Sequence, residues 1–86
     1  MKKIVGLVKP FDIKQIFYVY EDGNKIDTAT PRINDINSAI FALADKYKIT
    51  KVDLVGPKQY IRGLTKQIQQ AEVQKYNENK LEINIV

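Results

Sequence analysis

Between Lys51 and Gln70, in KVDLVGPKQYIRGLTKQIQQ, the chain changes its hydrophobic period. Lys51–Val55 is short and rich in β-branched residues, as a strand is. Gly56-Pro57 breaks it, and a helix is expected from about Lys58. At ~100° per residue, Ile61, Leu64, Ile68 and Ala71 share one face of that helix, and Lys58, Arg62 and Lys66 share another, roughly opposite. Gly63 lies mid-helix, at a cost of about 1 kcal/mol relative to Ala. Val73 and Tyr76 leave the apolar stripe, so the helix either ends near Ala71 or makes a second contact there. A strand feeding directly into a helix calls for a mixed α/β architecture.

The rest of the chain can be placed around this switch. Lys3–Val8 reads as a strand, and its nearly unbroken apolar run predicts cover on both faces. Gly6 within it marks a close backbone approach. Gln15–Tyr20 has strong β propensity. Glu21-Asp22-Gly23-Asn24 carries the Asp-Gly hairpin signal, and Lys25–Thr30 returns as a polar edge strand. In that strand Ile26, Thr28 and Thr30 share one face, and Lys25, Asp27 and Ala29 the other. A helix follows from about Ile33, with Thr30-Pro31 and Asn34 as rival starts. Ile33, Ile36, Ile40, Leu43, Ala44 and Tyr47 fall on its apolar face, with Phe41 at the flank. Asn77-Glu78-Asn79-Lys80 is a polar connection, and Leu81–Val86 alternates as a fifth strand. The order β-β-β-α-β-α-β predicts one domain over residues 1–86. It has a five-stranded mixed sheet, an antiparallel meander continued by parallel crossovers, and two main helices.

Composition narrows the chemistry. Eighty-six residues bury only about 60% of their unfolded surface, so oligomerisation is one route to stability. There is no Cys and no His. That removes Cys-based zinc sites, disulfides and the Ser-His and Cys-His nucleophile systems. Lys2-Lys3 before an apolar run resembles a signal peptide, but Ile4–Val8 is too short and is closed by Lys9-Pro10. No stretch approaches the ~20 apolar residues of a membrane span, so a cytoplasmic location without membrane association is expected. The abundance of Ile and Lys fits an AT-rich genome, and a bacterial or phage origin is expected. The net charge of +4 permits attraction to nucleic acid without demanding it.

The element order is shared by ribonuclease H-like folds. Ile4–Ile26, IVGLVKPFDIKQIFYVYEDGNKI, resembles the first hairpin of that superfamily, which includes RuvC-like resolvases and the core halves of actin-like ATPases. The resemblance implies a ribonuclease H-like sheet. Its nuclease members carry an Asp at the end of the first strand, where it holds catalytic Mg²⁺; here that position is Val8. Its nucleotide-binding members have a Gly-rich phosphate loop just after; here it reads Lys9-Pro10-Phe11-Asp12. What the resemblance implies is therefore a member without the superfamily's usual chemistry, needing no cofactor.

Four candidate sites remain. Asp12, Asp27, Asp53 and Glu82 are the carboxylates available for a two-metal centre, which needs several of them around ions about 4 Å apart. Asp53 and Glu82 are the weak metal candidates among them, and the plainer reading makes each the polar-face residue of its strand. Gly56-Pro57-Lys58 offers an anion a helix N-terminus, or is an ordinary helix start. Lys58, Arg62 and Lys66, with Gln59, Gln67, Gln69, Gln70 and Gln74 nearby, suit a phosphate backbone or an acidic partner, or are a solvated face. Lys46, Lys48 and Lys51 offer a second positive area. Tyr18 and Tyr20 project together if Phe17 and Val19 face the core, and suit base stacking or a protein interface. The expectation is a non-catalytic binding or regulatory module acting through a protein partner or self-association. Nucleic-acid binding by the second helix is the alternative, and a metal-dependent nuclease a distant third.

Overall fold

The computed structural model describes the backbone of residues 1–75 and 81–86, and the side chains of 1–71 and 81–86. The strands are β1 (Lys2–Leu7), β2 (Ile16–Glu21), β3 (Asn24–Ala29), β4 (Lys51–Val55) and β5 (Glu82–Ile85). The helices are α1 (Ile36–Tyr47), led in by a 3₁₀ turn at Ile33–Asp35, and α2 (Lys58–Lys75). The Asn77–Lys80 connection and the Val73, Gln74 and Tyr76 side chains lie outside the described residues. α2 continues past Ala71 to Lys75.

The five strands form one mixed sheet in the order β3-β2-β1-β4-β5. β1, β2 and β3 make the antiparallel meander, and β1–β4 and β4–β5 pair in parallel. The α/β architecture expected from the element order is present. Asp22 and Gly23 both have positive φ, 52° and 84°, the signature of a type I′ hairpin turn. β3 and β5 are the edges, as the polar sequence of β3 predicts for that strand.

One alternating set of strand residues, Ile4, Phe17, Val19, Val52 and Leu54, is buried in a single cluster with Ile36 and Ile40 of α1 and Ile61, Leu64 and Ile68 of α2. Both helices therefore lie on the same face of the sheet. The topology explains why. The β3-α1-β4 and β4-α2-β5 crossovers advance across the sheet in the same direction, and crossovers of one hand then put both helices on one side. The expectation that β1 is covered on both faces is thereby corrected. Val5 and Leu7 are only partly buried, and no helix among the described residues lies over them.

Gly6 is a close approach, as its place in the strand suggested. A Cβ there would sit 2.5 Å from Cε2 of Phe17. Phe41, at the flank of the α1 stripe, is buried. Neither expected cap starts that helix. The 3₁₀ turn follows Arg32, and α1 follows Asp35 without a side-chain capping bond. The segment is held instead by backbone bonds, Ile33 N–H to Ile13 O at 2.7 Å and Gln15 N–H to Pro31 O at 2.7 Å. α1 ends on Lys48 in the left-handed region, φ 56°, with its N–H on Ala44 O.

Candidate functional site

The uncovered face of the sheet has an internal order fixed by register. Toward the C-terminal end of β1, Ile16, Leu7 and Val55 form an apolar row across three strands. The next row is Thr28, Tyr18, Val5, Asp53 and Asn84. Beyond it lies a charged row: Lys25 pairs with Tyr20 and Tyr20 with Lys3, while Lys51 pairs with Glu82. The face is thus apolar at one end and charged at the other. Its cations reach the β3 edge and its carboxylates lie toward the β5 edge.

Tyr18 and Tyr20 project onto this face together, because Phe17 and Val19 are fully buried on the other side. Their rings meet edge to face, 6.1 Å between centroids at 62°. A register shift beside Val19/Tyr20 brings Lys25 to the same face, with its Nζ 4.9 Å from the centre of the Tyr18 ring. Ile26 is exposed beside it, while Ala29 packs against the core. The face of β3 turned to the helices is therefore that of Asp27 and Ala29, and the isoleucine points away.

The apolar end of the face runs into the loop between β1 and β2. Asp12 N–H donates to Lys9 O at 3.0 Å, closing a turn with Pro10 in its second position. Gln15, 1% exposed, braces this turn. Its Oε1 accepts the Lys9 N–H at 2.6 Å, and its Nε2 donates to Lys9 O and Asp12 O, each at 2.8 Å. On this braced turn Phe11 stands 99% exposed and Ile13 69% exposed. Neither Gln15 as a buried brace nor Phe11 as a presented side chain was read from the sequence. A polar residue directly before the apolar run IFYV, together with Pro10 opening a four-residue turn, is the signal that carried them.

Lys58, Arg62 and Lys66 are all exposed on α2, opposite the buried Ile61, Leu64 and Ile68. Among the described residues no ion pair involves them. Lys48 and Lys51 line one groove with Met1, Lys2, Glu21 and Tyr47, but Lys46 turns away from them to Asp27, 3.6 Å from its carboxylate.

The four carboxylates do not converge. Asp12 is on the braced loop. Asp27 is on the helix side of β3, where it accepts the Tyr47 hydroxyl and the Thr28 N–H. Those bonds, the Tyr47 one first, hold its carboxyl below the usual range, and the same bond raises the Tyr47 hydroxyl. Asp53 and Glu82 share a shallow depression with Lys51 and Asn84, but Asp53 is engaged by Lys3 at 3.3 Å. Among the described residues no group of three potential metal ligands forms. Asp53 and Glu82 are each the outward polar residue of their strand, Asp27 lies on the other face of the sheet, and Asp12 is on the loop.

Gly56-Pro57 is a structural corner. A Cβ on Gly56 would lie 2.5 Å from the Val8 carbonyl oxygen, and Val8 N–H donates to Val55 O at 2.8 Å. Pro57 O accepts the Ile61 N–H at 3.0 Å, so Pro57 caps α2 rather than standing at its first turn position. No helix among the described residues is long and apolar enough to cross a membrane. No protein-family profile, no curated protein and no solved structure matches this chain.

Proposed function

We propose that this chain is a non-catalytic protein-interaction module that binds through the uncovered face of its sheet. One observation carries the reading: Val5, Leu7, Ile16, Tyr18 and Val55 are gathered on a face over which no described helix lies. A contiguous apolar patch rimmed by charge is the usual mark of a protein interface. The framework is read as ribonuclease H-like, in keeping with the meander continued by parallel strands, and Val8 in place of the metal-binding Asp fits a member that binds without catalysis. A cytoplasmic site of action in a bacterial or phage setting belongs to the same reading.

The test is affinity capture from bacterial lysate with the wild type and with Leu7→Glu and Tyr18→Glu. Partners retained by the wild type and lost by both variants support the reading. Partners that persist on both variants, or no reproducible partner, sink it.

A second reading rests on the exposed stripe Lys58, Arg62 and Lys66, which makes no ion pair among the described residues and suits the phosphates of a duplex. Three phosphate contacts give a log–log salt dependence with a slope of about −3. Lys58→Glu, Arg62→Glu and Lys66→Glu together should abolish that binding without unfolding the protein. Absence of duplex binding at low salt removes this reading.

A further inference from the structure

We propose that the uncovered face is closed by a second copy of the chain, stacked face to face about a two-fold axis parallel to the strands. This rests on the protein-interaction reading and names its partner.

Charge gives the first argument. The chain carries +4, and a second copy would be repelled by most of its surface. The uncovered face differs. Its cations Lys3, Lys25 and Lys51 stand against the carboxylates Asp53 and Glu82, which leaves these five groups at a net +1, whereas the charged side chains described on the outer side of α2, Lys58, Arg62 and Lys66, are all cations. A nucleic acid would favour α2; another copy of this chain favours the sheet.

The arrangement of those charges gives the second argument. A two-fold axis along the strands turns the β3 edge of one copy over the β5 edge of the other. Lys25 then lies across from Glu82 of the second copy, and the contact occurs twice by symmetry. The same axis lays the Ile16–Leu7–Val55 row over its own counterpart. A two-fold axis across the strands would instead set the apolar row against the charged row. The first operation keeps the apolar row together and brings Lys25 to Glu82; it also sets Lys3 of the central strand over its own counterpart, each held to its Asp53 at 3.3 Å.

Size gives the third argument. The molecule measures 30 × 30 × 20 Å, and the stacking of one sheet on one helix layer accounts for the short dimension. The uncovered face is therefore one of the two broad sides. Its breadth is of the order of the ~800 Å² per partner that a standard interface buries.

The experiment is sedimentation equilibrium of the full chain from about 1 μM to about 1 mM, bracketing the affinities typical of small interfaces. A monomer–dimer equilibrium is expected. Lys25→Glu alone and Glu82→Lys alone should each weaken it by about fivefold to tenfold, as two lost charge pairs predict. The double variant should return to within about twofold of the wild type. Both positions are exposed, so these variants keep the fold even if Leu7→Glu does not. A monomer at every concentration overturns the proposal. So does a dimer indifferent to all of these substitutions, which would point to edge pairing through β3 or β5. A monomer that still captures a partner through Leu7 and Tyr18 ends the dimer but leaves the interaction reading standing. A monomer that binds duplex through α2 and captures nothing ends both.

Discussion

The side-chain amide of Gln15 grips the backbone of Lys9 from both sides, accepting its N–H at 2.6 Å and donating to its carbonyl at 2.8 Å. The residue mimics a missing strand neighbour at the place where β1 has ended and β2 has not begun. A third bond, to Asp12 O, closes the turn that presents Phe11. Gln15→Ala removes the side-chain partner of all three backbone groups at a part-buried site. It should cost about 2–4 kcal/mol in urea unfolding. Gln15→Glu keeps the shape but loses both N–H donors and faces two carbonyls with a buried charge. Its carboxyl should be raised in the folded state, so this variant should gain stability as the pH falls toward 4. A variant equally stable at pH 7 and pH 4 would refute that account.

Two glycines should respond oppositely to the same change. At Gly63 a Cβ meets nothing within 4 Å, so Gly63→Ala should add about 0.5–1 kcal/mol through helix propensity alone. At Gly6 a Cβ would strike the Phe17 ring from 2.5 Å. Gly6→Ala forces the largest core aromatic out of its place and should destabilise by about 1–3 kcal/mol. Thermal melts of the two variants give the comparison directly.

The Tyr47–Asp27 bond makes stability depend on pH at both extremes. Asp27 is held below its ordinary pKa of 3.8, chiefly by the Tyr47 hydroxyl and then by the Thr28 N–H. Its contribution is full above the ordinary carboxylate range and is lost as the pH falls through the folded value. Tyr47 is raised above 10.0 by the same bond. Its contribution is full below that value and is lost as the pH rises through the folded one. The advantage of wild type over Tyr47→Phe should therefore be widest near neutrality and shrink toward both ends. An advantage constant from pH 3 to pH 11 would show that the bond contributes nothing.

The end of α1 offers a smaller gain. Lys48 occupies the left-handed region at φ 56°, where a side chain costs about 1 kcal/mol and Gly costs little. Lys48→Gly should raise the melting temperature by a few degrees, since the Ala44 O bond is a backbone bond that Gly retains.

Local chemistry was legible in the sequence. The bounds of β4, the start of α2, the Asp-Gly turn and the buried faces of both helices all follow from period and turn residues near at hand. The outward pair Tyr18 and Tyr20 followed from Phe17 and Val19 in the same way. What escaped depends on the direction of the crossovers. Val5 and Leu7 look like doubly buried strand residues because aliphatic side chains favour strands whether or not both sides are covered. That both helices take the same side follows from strand order, which no local pattern encodes. Asp53 and Glu82 follow the plainer reading, each the polar-face residue of its strand, while whether carboxylates converge is a property of the assembled sheet. Gln15 read as strand because its role depends on Lys9 and Asp12, with which it shares no period.

The place of β1 also shapes how the chain comes off the ribosome. It is first in sequence and central in the sheet, yet Ile4 finds its parallel neighbour Val52 only after more than half of the chain has followed. The meander can close as soon as β3 emerges. Until β4 arrives, one side of β1 keeps its peptide groups unpaired and Leu7 has no neighbour beyond it. The nascent chain thus passes through an interval in which its central strand is an open edge, receptive to a strand from any other molecule. Long-range parallel pairing is slow, and speed of synthesis through the α1 segment would set how long that exposure lasts.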